Sequence, residues 1–260
     1  LPTAPGNAFG GIQYPDLVAA LRLDQAWGAA QVMGAVHELN GLYYGANEGT
    51  GHPGDEVGWA VGAGLKVNFP MIGAGDYLQA QVNYGQGATG YIAATAVNYS
   101  QYKGNNFGYG FQADGVYSGN GGDVQLTTAW GVDASYEHFW NKKWQTSVYG
   151  AYMAVSYNSS ANALMCAAEG MGTLAGAVGT ATAGCDNDWH YWDVGTRTQF
   201  NLDANTYVGL DVVYQQLNSA TAPGGLATMA ANGTKPAGVY SINNQSAWTV
   251  EFRVHRNFYP

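Results

Sequence analysis

Residues 57–69 read VGWAVGAGLKVNF. Val57, Trp59, Val61, Ala63, Leu65, Val67 and Phe69 take every second place, with Gly58, Ala60, Gly62, Gly64, Lys66 and Asn68 between them. Side chains on a strand point alternately to its two faces, so the stretch predicts a strand with one apolar face and one small or polar face. The far end of the chain repeats the pattern. There Trp248, Val250, Phe252 and Val254 alternate with Thr249, Glu251, Arg253 and His255.

The same period of two runs through 76–86, 129–140, 189–202 and 205–217, and less cleanly through 17–26, 29–39, 91–102, 107–117 and 144–157. The stretch 91–102 also fits a short helix inside a loop. Tight turns are expected at Trp27-Gly28, 70–75, Lys103–Asn106, Asn141–Lys143 and 201–204. Longer Gly-, Ala- and Asn-rich loops are expected at 40–56, 118–128, 158–188 and 218–244, with a short one near 87–90. Short turns at one end and long loops at the other are the arrangement of outer-membrane barrels. Trp140, Trp144, Tyr157, Trp189, Tyr191, Phe258 and Tyr259 lie near predicted strand ends, where interfacial aromatic girdles are expected.

Composition supports a wall that is apolar on one side and wet on the other. Only 10% of the 260 residues are charged, yet mean hydropathy is slightly negative at −0.17. Soluble domains carry about 25% charged residues, so a soluble sandwich with Lys and Glu on its wet faces fits poorly. The predicted strands are also about twice the usual 5–6 residues and long enough to cross a bilayer at a tilt. No apolar run is long enough for a spanning helix, so a membrane reading must use strands whose sheet closes on itself. The net charge of −9 argues against a nucleic-acid partner. The chain opens at Leu1 without a basic or apolar leader, so any signal peptide is expected to have been removed.

The stretch TAWGVDASYEHFW (128–140), followed by NKKWQTSVYGAYMAVSYN (141–158), resembles the porins of alphaproteobacteria related to rhizobia and brucellae. The likeness continues through the loop holding Cys166 and Cys185, WDVGTRTQFNL (192–202) and the closing RVHRNFYP (253–260). It is strong over roughly residues 124–260 and softer before. The resemblance implies a homotrimeric, sixteen-stranded general-diffusion porin whose pore is narrowed by an inward-folded loop. Members of that family are much longer. The expectation is therefore that residues 1–260 form one domain, the C-terminal part of a longer all-β, antiparallel transmembrane barrel. About eleven of its strands are expected here, without the early strands and the constriction loop.

Strand phase places Arg22, Lys66, Arg197 and Arg253 on the polar face, with Asp24, Asp114, Asp133, Glu137, Asp193, Asp211 and Glu251. In a barrel these residues would line the lumen and set its field, as charged rings do in channels. They would also pair with one another and stiffen the wall. The acidic excess points to a mild cation preference. Cys166 and Cys185 fall in one predicted external loop, and an exported protein folds in an oxidising compartment, so a disulfide is expected.

Zinc is not expected, because no second ligand pair has suitable spacing. His37, His52, His138, His190 and His255 show no catalytic or metal-ligating spacing. Gly62-Ala63-Gly64 sits in mid-strand with no helix to present N–H groups to phosphate. The expected function is passive diffusion of small hydrophilic solutes and ions across the bacterial outer membrane, in contact with lipid and lipopolysaccharide and without cofactor or catalysis. A barrel serving as adhesin or surface enzyme is the alternative. An enzyme would need a clustered Ser/His/Asp set near the outer rim, and none is visible.

Overall fold

A computed structural model of the chain describes residues 10–44, 48–92, 98–118, 121–171 and 184–258. In chain order the first strands are β1 (Leu17–Gln25), β2 (Gly28–Leu39), β3 (Glu56–Asn68) and β4 (Tyr77–Gln86). Four short strands follow: β5 (Asn98–Lys103), β6 (Asn106–Phe111), β7 (Gly115–Val116) and β8 (Gln125–Leu126). Then come β9 (Thr128–Phe139), β10 (Trp144–Ser156), the helix α1 (Ser159–Met171), β11 (Trp189–Asn201) and β12 (Thr206–Asn218). The chain ends with β13 (Leu226–Met229), β14 (Gly238–Ile242) and β15 (Gln245–Arg256).

Nine long strands form one antiparallel sheet in the order β1-β2-β3-β4-β9-β10-β11-β12-β15. The expected count of about eleven is corrected here. The two extra strands, predicted at 91–102 and 107–117, do not join this sheet. β4 pairs directly with β9, from Tyr77↔Glu137 to Gln86↔Thr128. β5 and β6 pair with each other and join β14 and β13 in a separate four-stranded sheet. Part of the predicted strand 91–102, residues 93–97, lies outside the described residues. Among those described, β1 and β15 end the long sheet and do not pair with each other.

Four short turns join the long strands at one end. Asn141 shows how they are made, its side-chain oxygen accepting the backbone N–H groups of Lys143 (2.9 Å) and Trp144 (3.1 Å). The segments 40–55, 87–127, 157–188 and 219–244 make the connections at the other end. Asn158 caps α1 there by accepting the N–H of Ala161 at 2.8 Å.

The alternation survives intact in the long strands. Val57, Val61 and Leu65 of β3 face outward and are exposed, as are Trp248, Val250, Phe252 and Val254 of β15. So large an apolar surface marks a face made for a membrane or a partner. Trp140 and Trp144 stand exposed at the short-turn end, and Phe258 is exposed near the end of the chain. Trp189 (2% exposed) and Tyr157 (8%) are not girdle residues, because the segment after β4 packs over them. Tyr191 falls on the polar face, where its hydroxyl donates to Gln215. Tyr259 lies outside the described residues.

Candidate functional site

Away from the strand ends, the charged residues of the long strands lie on one face of the sheet. Register carries one lateral row across eight strands, from Arg22 through Gln31, Gly64, Gln81, Asp133, Ala151 and Asp193 to Gln215. A second row joins Asp24, Ala29, Lys66 and Gln79. A third joins Tyr77, Glu137, Ser147, Arg197, Asp211 and Glu251, and Arg253 lies two residues beyond Glu251 on the same face. The ten charged residues assigned to strands thus share one face. Asp114 does not belong to the long sheet. It follows β6 in the segment between β4 and β9.

Each arginine on this face has an acidic neighbour. Arg22 and Asp24 approach to 2.8 Å, Arg253 and Glu251 to 2.8 Å, and Arg197 and Glu137 to 3.9 Å. Lys66 sits over the ring of Tyr77, 4.2 Å from its centroid. Among the described residues, no ion pair of 4.0 Å or less reaches Asp133, Asp193 or Asp211. Carboxylates without an ion pair therefore gather on β9, β11 and β12, although Asp211 accepts the Tyr149 hydroxyl and stands opposite Arg197 in register.

The segment after β4 folds onto this polar face. Phe107, Tyr109 and Phe111 of β6 are buried with Ala129, Val155, Trp189 and Leu217, all on the polar side of the long strands at their long-loop end. Trp189 and Tyr157 each donate to the Phe111 carbonyl at 2.6 Å. The Tyr109 carbonyl accepts the Ala220 N–H at 2.9 Å. Close approach is possible because Gly110 has no side chain, since a Cβ there would lie 2.2 Å from the Trp189 ring. Gly58 does the same nearer β1. A Cβ there would lie 2.0 Å from the Gly87 carbonyl oxygen, where the segment leaves β4.

A second seat lies near β1 and β2. A 3-10 turn at Thr89–Tyr91 carries Ile92, which packs on Ala35, Ala60 and Ala88. Asp114 accepts from both the backbone N–H (2.6 Å) and the hydroxyl (2.8 Å) of Thr89. The Tyr91 hydroxyl donates to Asp16. Burial alone would raise the Asp16 pKa, but its bonds from Tyr91 and His37 outweigh that and hold it below the ordinary carboxylate range.

Helix α1 covers the first seat through Ala161 and Met165. Cys166 and Cys185 form the expected disulfide, with Cα atoms 5.9 Å apart. Beside it Glu169 is buried and accepts the Tyr109 hydroxyl at 3.0 Å. Burial pushes its pKa up to about 7, against the bonds from Tyr109 and Asn187. A residue of this helix thus touches the inward-folded segment directly.

Strand phase finds the wall but not the two seats. Asp16, His37, Thr89, Tyr91, Trp189 and Glu169 meet partners far away in sequence, and periodicity is blind to such meetings. His37 and Trp189 leave a trace, since His37 follows Gln31, Met33 and Ala35 on the polar face of β2 and Trp189 shares the phase of Asp193 and Arg197 in β11.

Comparison with known proteins agrees with this architecture. The family described as "Porin subfamily" matches residues 4–250. No curated protein matches the chain. Among solved structures, the outer membrane channel DcaP of Acinetobacter baumannii superposes with a TM-score of 0.54 at 9% identity. The match covers 96% of this chain but 56% of that protein, so the chain spans little more than half its length. At that identity the likeness concerns the fold.

Proposed function

This chain belongs to the porin subfamily, and from that premise we propose that it forms the wall and constriction of a water-filled pore for small hydrophilic solutes and ions. Its place is the bacterial outer membrane. The polar face, with Arg22, Asp24, Lys66, Asp133, Glu137, Asp193, Arg197, Asp211, Glu251 and Arg253, lines the lumen, and the segment 87–127 with Asp114 narrows it. The observation that carries this reading is the packing of β6 on the polar side of the long strands through Trp189 and Gly110. A lining free to stay fully hydrated would have no reason to bury three aromatic residues there.

The sheet closes through strands beyond the nine described, to the sixteen of the alphaproteobacterial general-diffusion porins that 128–158 and 253–260 resemble. Residues 1–260 are then the C-terminal part of that barrel. A homotrimer in contact with lipopolysaccharide completes the proposal, and the chain acts as a conduit with no catalytic step. Passage is governed by pore radius and biased electrostatically. The arginines have ion-pair partners while Asp133, Asp193 and Asp211 have none, which supports a preference for cations.

Planar-bilayer recording tests both parts. The protein should give ohmic single channels with a reversal potential favouring cations in a salt gradient. Changing Arg197 and Arg253 together to Glu should move that potential further toward cations. If the arginines faced lipid, each would cost about 2–4 kcal/mol at mid-bilayer. The double variant would then gain in assembly yield with selectivity unmoved, and that result refutes the lumen assignment.

A further inference from the structure

Two lateral rows on the polar face of the sheet carry no charge. Register joins Val18, Ala35, Ala60 and Gly85 in one, and Ala20, Met33, Gly62 and Asn83 in the next. Toward the short turns the following row is Arg22, Gln31, Gly64 and Gln81. Toward the long loops stand Asp16 and His37, in contact with each other. An apolar patch two rows deep thus interrupts a wall that is otherwise polar. Ile92 of the inward-folded segment packs on Ala35 and Ala60 at its edge, and Tyr91 borders the space that remains, a cavity of about 280 Å³. Asn83 and Tyr91 are the polar side chains of its lining. Gly62 keeps the floor low, since a Cβ there would lie 2.2 Å from the Asn83 side-chain oxygen.

Water against such a floor finds few partners, and an apolar cavity of about 150 Å³ already accepts a benzene ring. Charge lies at one end. Asp16 precedes Val18 by two places on the same face, about 7 Å along the chain. Its carboxylate offers about four acceptor sites, of which Tyr91 and His37 take one each. Asp114 stands behind His37, 3.6 Å from Nε2, and the two carboxylate side chains are 31% and 37% exposed. Among the described residues no Lys or Arg pairs with either. Even a protonated imidazole between them would leave one negative charge over. At the opposite end Arg22 is neutralised by Asp24 at 2.8 Å. The cavity is therefore apolar along its floor and negative at one end. An anion would meet the carboxylates, and an uncharged apolar solute would gain nothing from them.

We infer that this cavity is a binding subsite for small amphiphilic organic cations, with an aryl or short alkyl group on the floor of Val18, Ala35 and Ala60 and a primary ammonium at Asp16. A role in selecting solutes rests on the porin reading, but binding can be measured without current. The probe is phenylethylammonium, titrated by saturation-transfer NMR against the full chain in detergent, beside ethylammonium, phenylethanol and phenylpropionate. Comparison between protein variants cancels uptake of the probes by detergent.

Phenylethylammonium should bind about ten- to a hundredfold more tightly than ethylammonium, the effect of burying one aryl ring. It should bind about three- to tenfold more tightly than phenylethanol, the effect of one partly exposed ionic contact. Phenylpropionate should be the weakest of the three aryl probes. Ala20→Leu extends an exposed residue of β1 into the cavity and should weaken phenylethylammonium by about tenfold or more. Ala151→Leu, on the same face of the sheet at β10, should leave the affinity unchanged. Asp16→Asn should bring phenylethylammonium down to the level of phenylethanol. Heat-dependent mobility in SDS checks that each variant has folded, and Val18→Phe fills the same space if Ala20→Leu does not fold. Equal affinities for phenylethylammonium and phenylpropionate, or an unchanged affinity in folded Ala20→Leu, overturn the inference. So does failure of every aryl probe to bind, as when other residues of the protein fill the cavity. Absence of any conductance with these affinities intact would sink the porin reading and leave the subsite standing.

Discussion

Replacing Trp189 by Ala removes the side chain against which the inward-folded segment is seated. The indole is 2% exposed, lies against Gly110, and donates to the Phe111 carbonyl at 2.6 Å. Truncations of this kind cost about 3–5 kcal/mol. The lost contacts run between β11 and β6, so the cost falls on docking of the segment more than on the long sheet. At a factor of ten per 1.4 kcal/mol, the docked-to-undocked ratio falls by about two to three and a half orders of magnitude. Hydrogen exchange of peptides over 106–111 should accelerate accordingly, and single-channel current should become noisy. Trp189→Phe keeps most of the ring and drops only the N–H donor. Tyr157 still satisfies the Phe111 carbonyl, so the cost should be about 1 kcal/mol. Gly110→Ala offers the converse test, because its Cβ would collide with the ring. Combined with Trp189→Ala, that methyl enters vacated space, so the double variant should be less disturbed than the two single effects added. Trp130→Ala, an outward residue 40% exposed, is the control and should leave the segment protected. If Trp189→Ala lowers the heat-modification temperature of the whole barrel while 106–111 keeps its protection, the seating argument is wrong.

Two further outcomes concern pH and the loop ends. Asp76 is buried in the turn before β4 and accepts from the Phe139 N–H (2.9 Å), the Tyr136 hydroxyl (2.7 Å) and His138 (2.6 Å). Burial alone would raise its pKa, but these bonds hold it below the usual 3.8, so its contribution is present above that value and lost as pH falls through the lowered one. Asp76→Ala should leave the Phe139 N–H unsatisfied, cost about 1–3 kcal/mol, and abolish the acid step in exchange of peptides over 69–76. Glu169 behaves oppositely: its pKa rises from 4.5 to about 7, so between those values the docked loop holds a proton that an open loop releases. Docking of α1 should therefore weaken from about pH 4.5 to pH 7 and stay level above, and Glu169→Gln should show no such slope in exchange of α1.

Much of the long sheet can be read from alternation, because its strands obey one rule from end to end. The same rule misleads at 107–117. Phe107, Tyr109 and Phe111 alternate with Gly108 and Gly110, the pattern expected of a membrane strand with an aromatic outer face. Alternation fixes that a strand has two unlike faces. It does not say which sheet receives it or what its apolar side meets. β6 buries that side against Trp189 and Val155 within the protein, and nothing in an eleven-residue window separates this burial from lipid. Trp189 and Tyr157 mislead for a related reason. An aromatic at a strand end suits an interfacial girdle equally well, and Gly110, the residue that decides the matter, stands 79 positions before Trp189 (189 − 110).

The charges of the wall divide along the same line between local and distant pairing. Arg22-Leu23-Asp24 and Glu251-Phe252-Arg253 put opposite charges two apart on one strand, where both side chains must share a face. Such pairs are legible from strand phase alone, and the 2.8 Å contacts follow directly. Arg197 has no acid two places away, and its nearest carboxylate, Glu137, comes from a strand two removed in the sheet. Only the order β9-β10-β11 makes that neighbour available. The distinction matters for the field of the proposed pore. A pair on one strand moves with that strand and is neutral wherever the strand goes. Arg197 is paired only while β9, β10 and β11 keep their register, and at 3.9 Å against 2.8 Å for the other two arginines. It is therefore the arginine whose charge is least cancelled within the wall, and the one whose reversal should move selectivity more than Arg253→Glu alone.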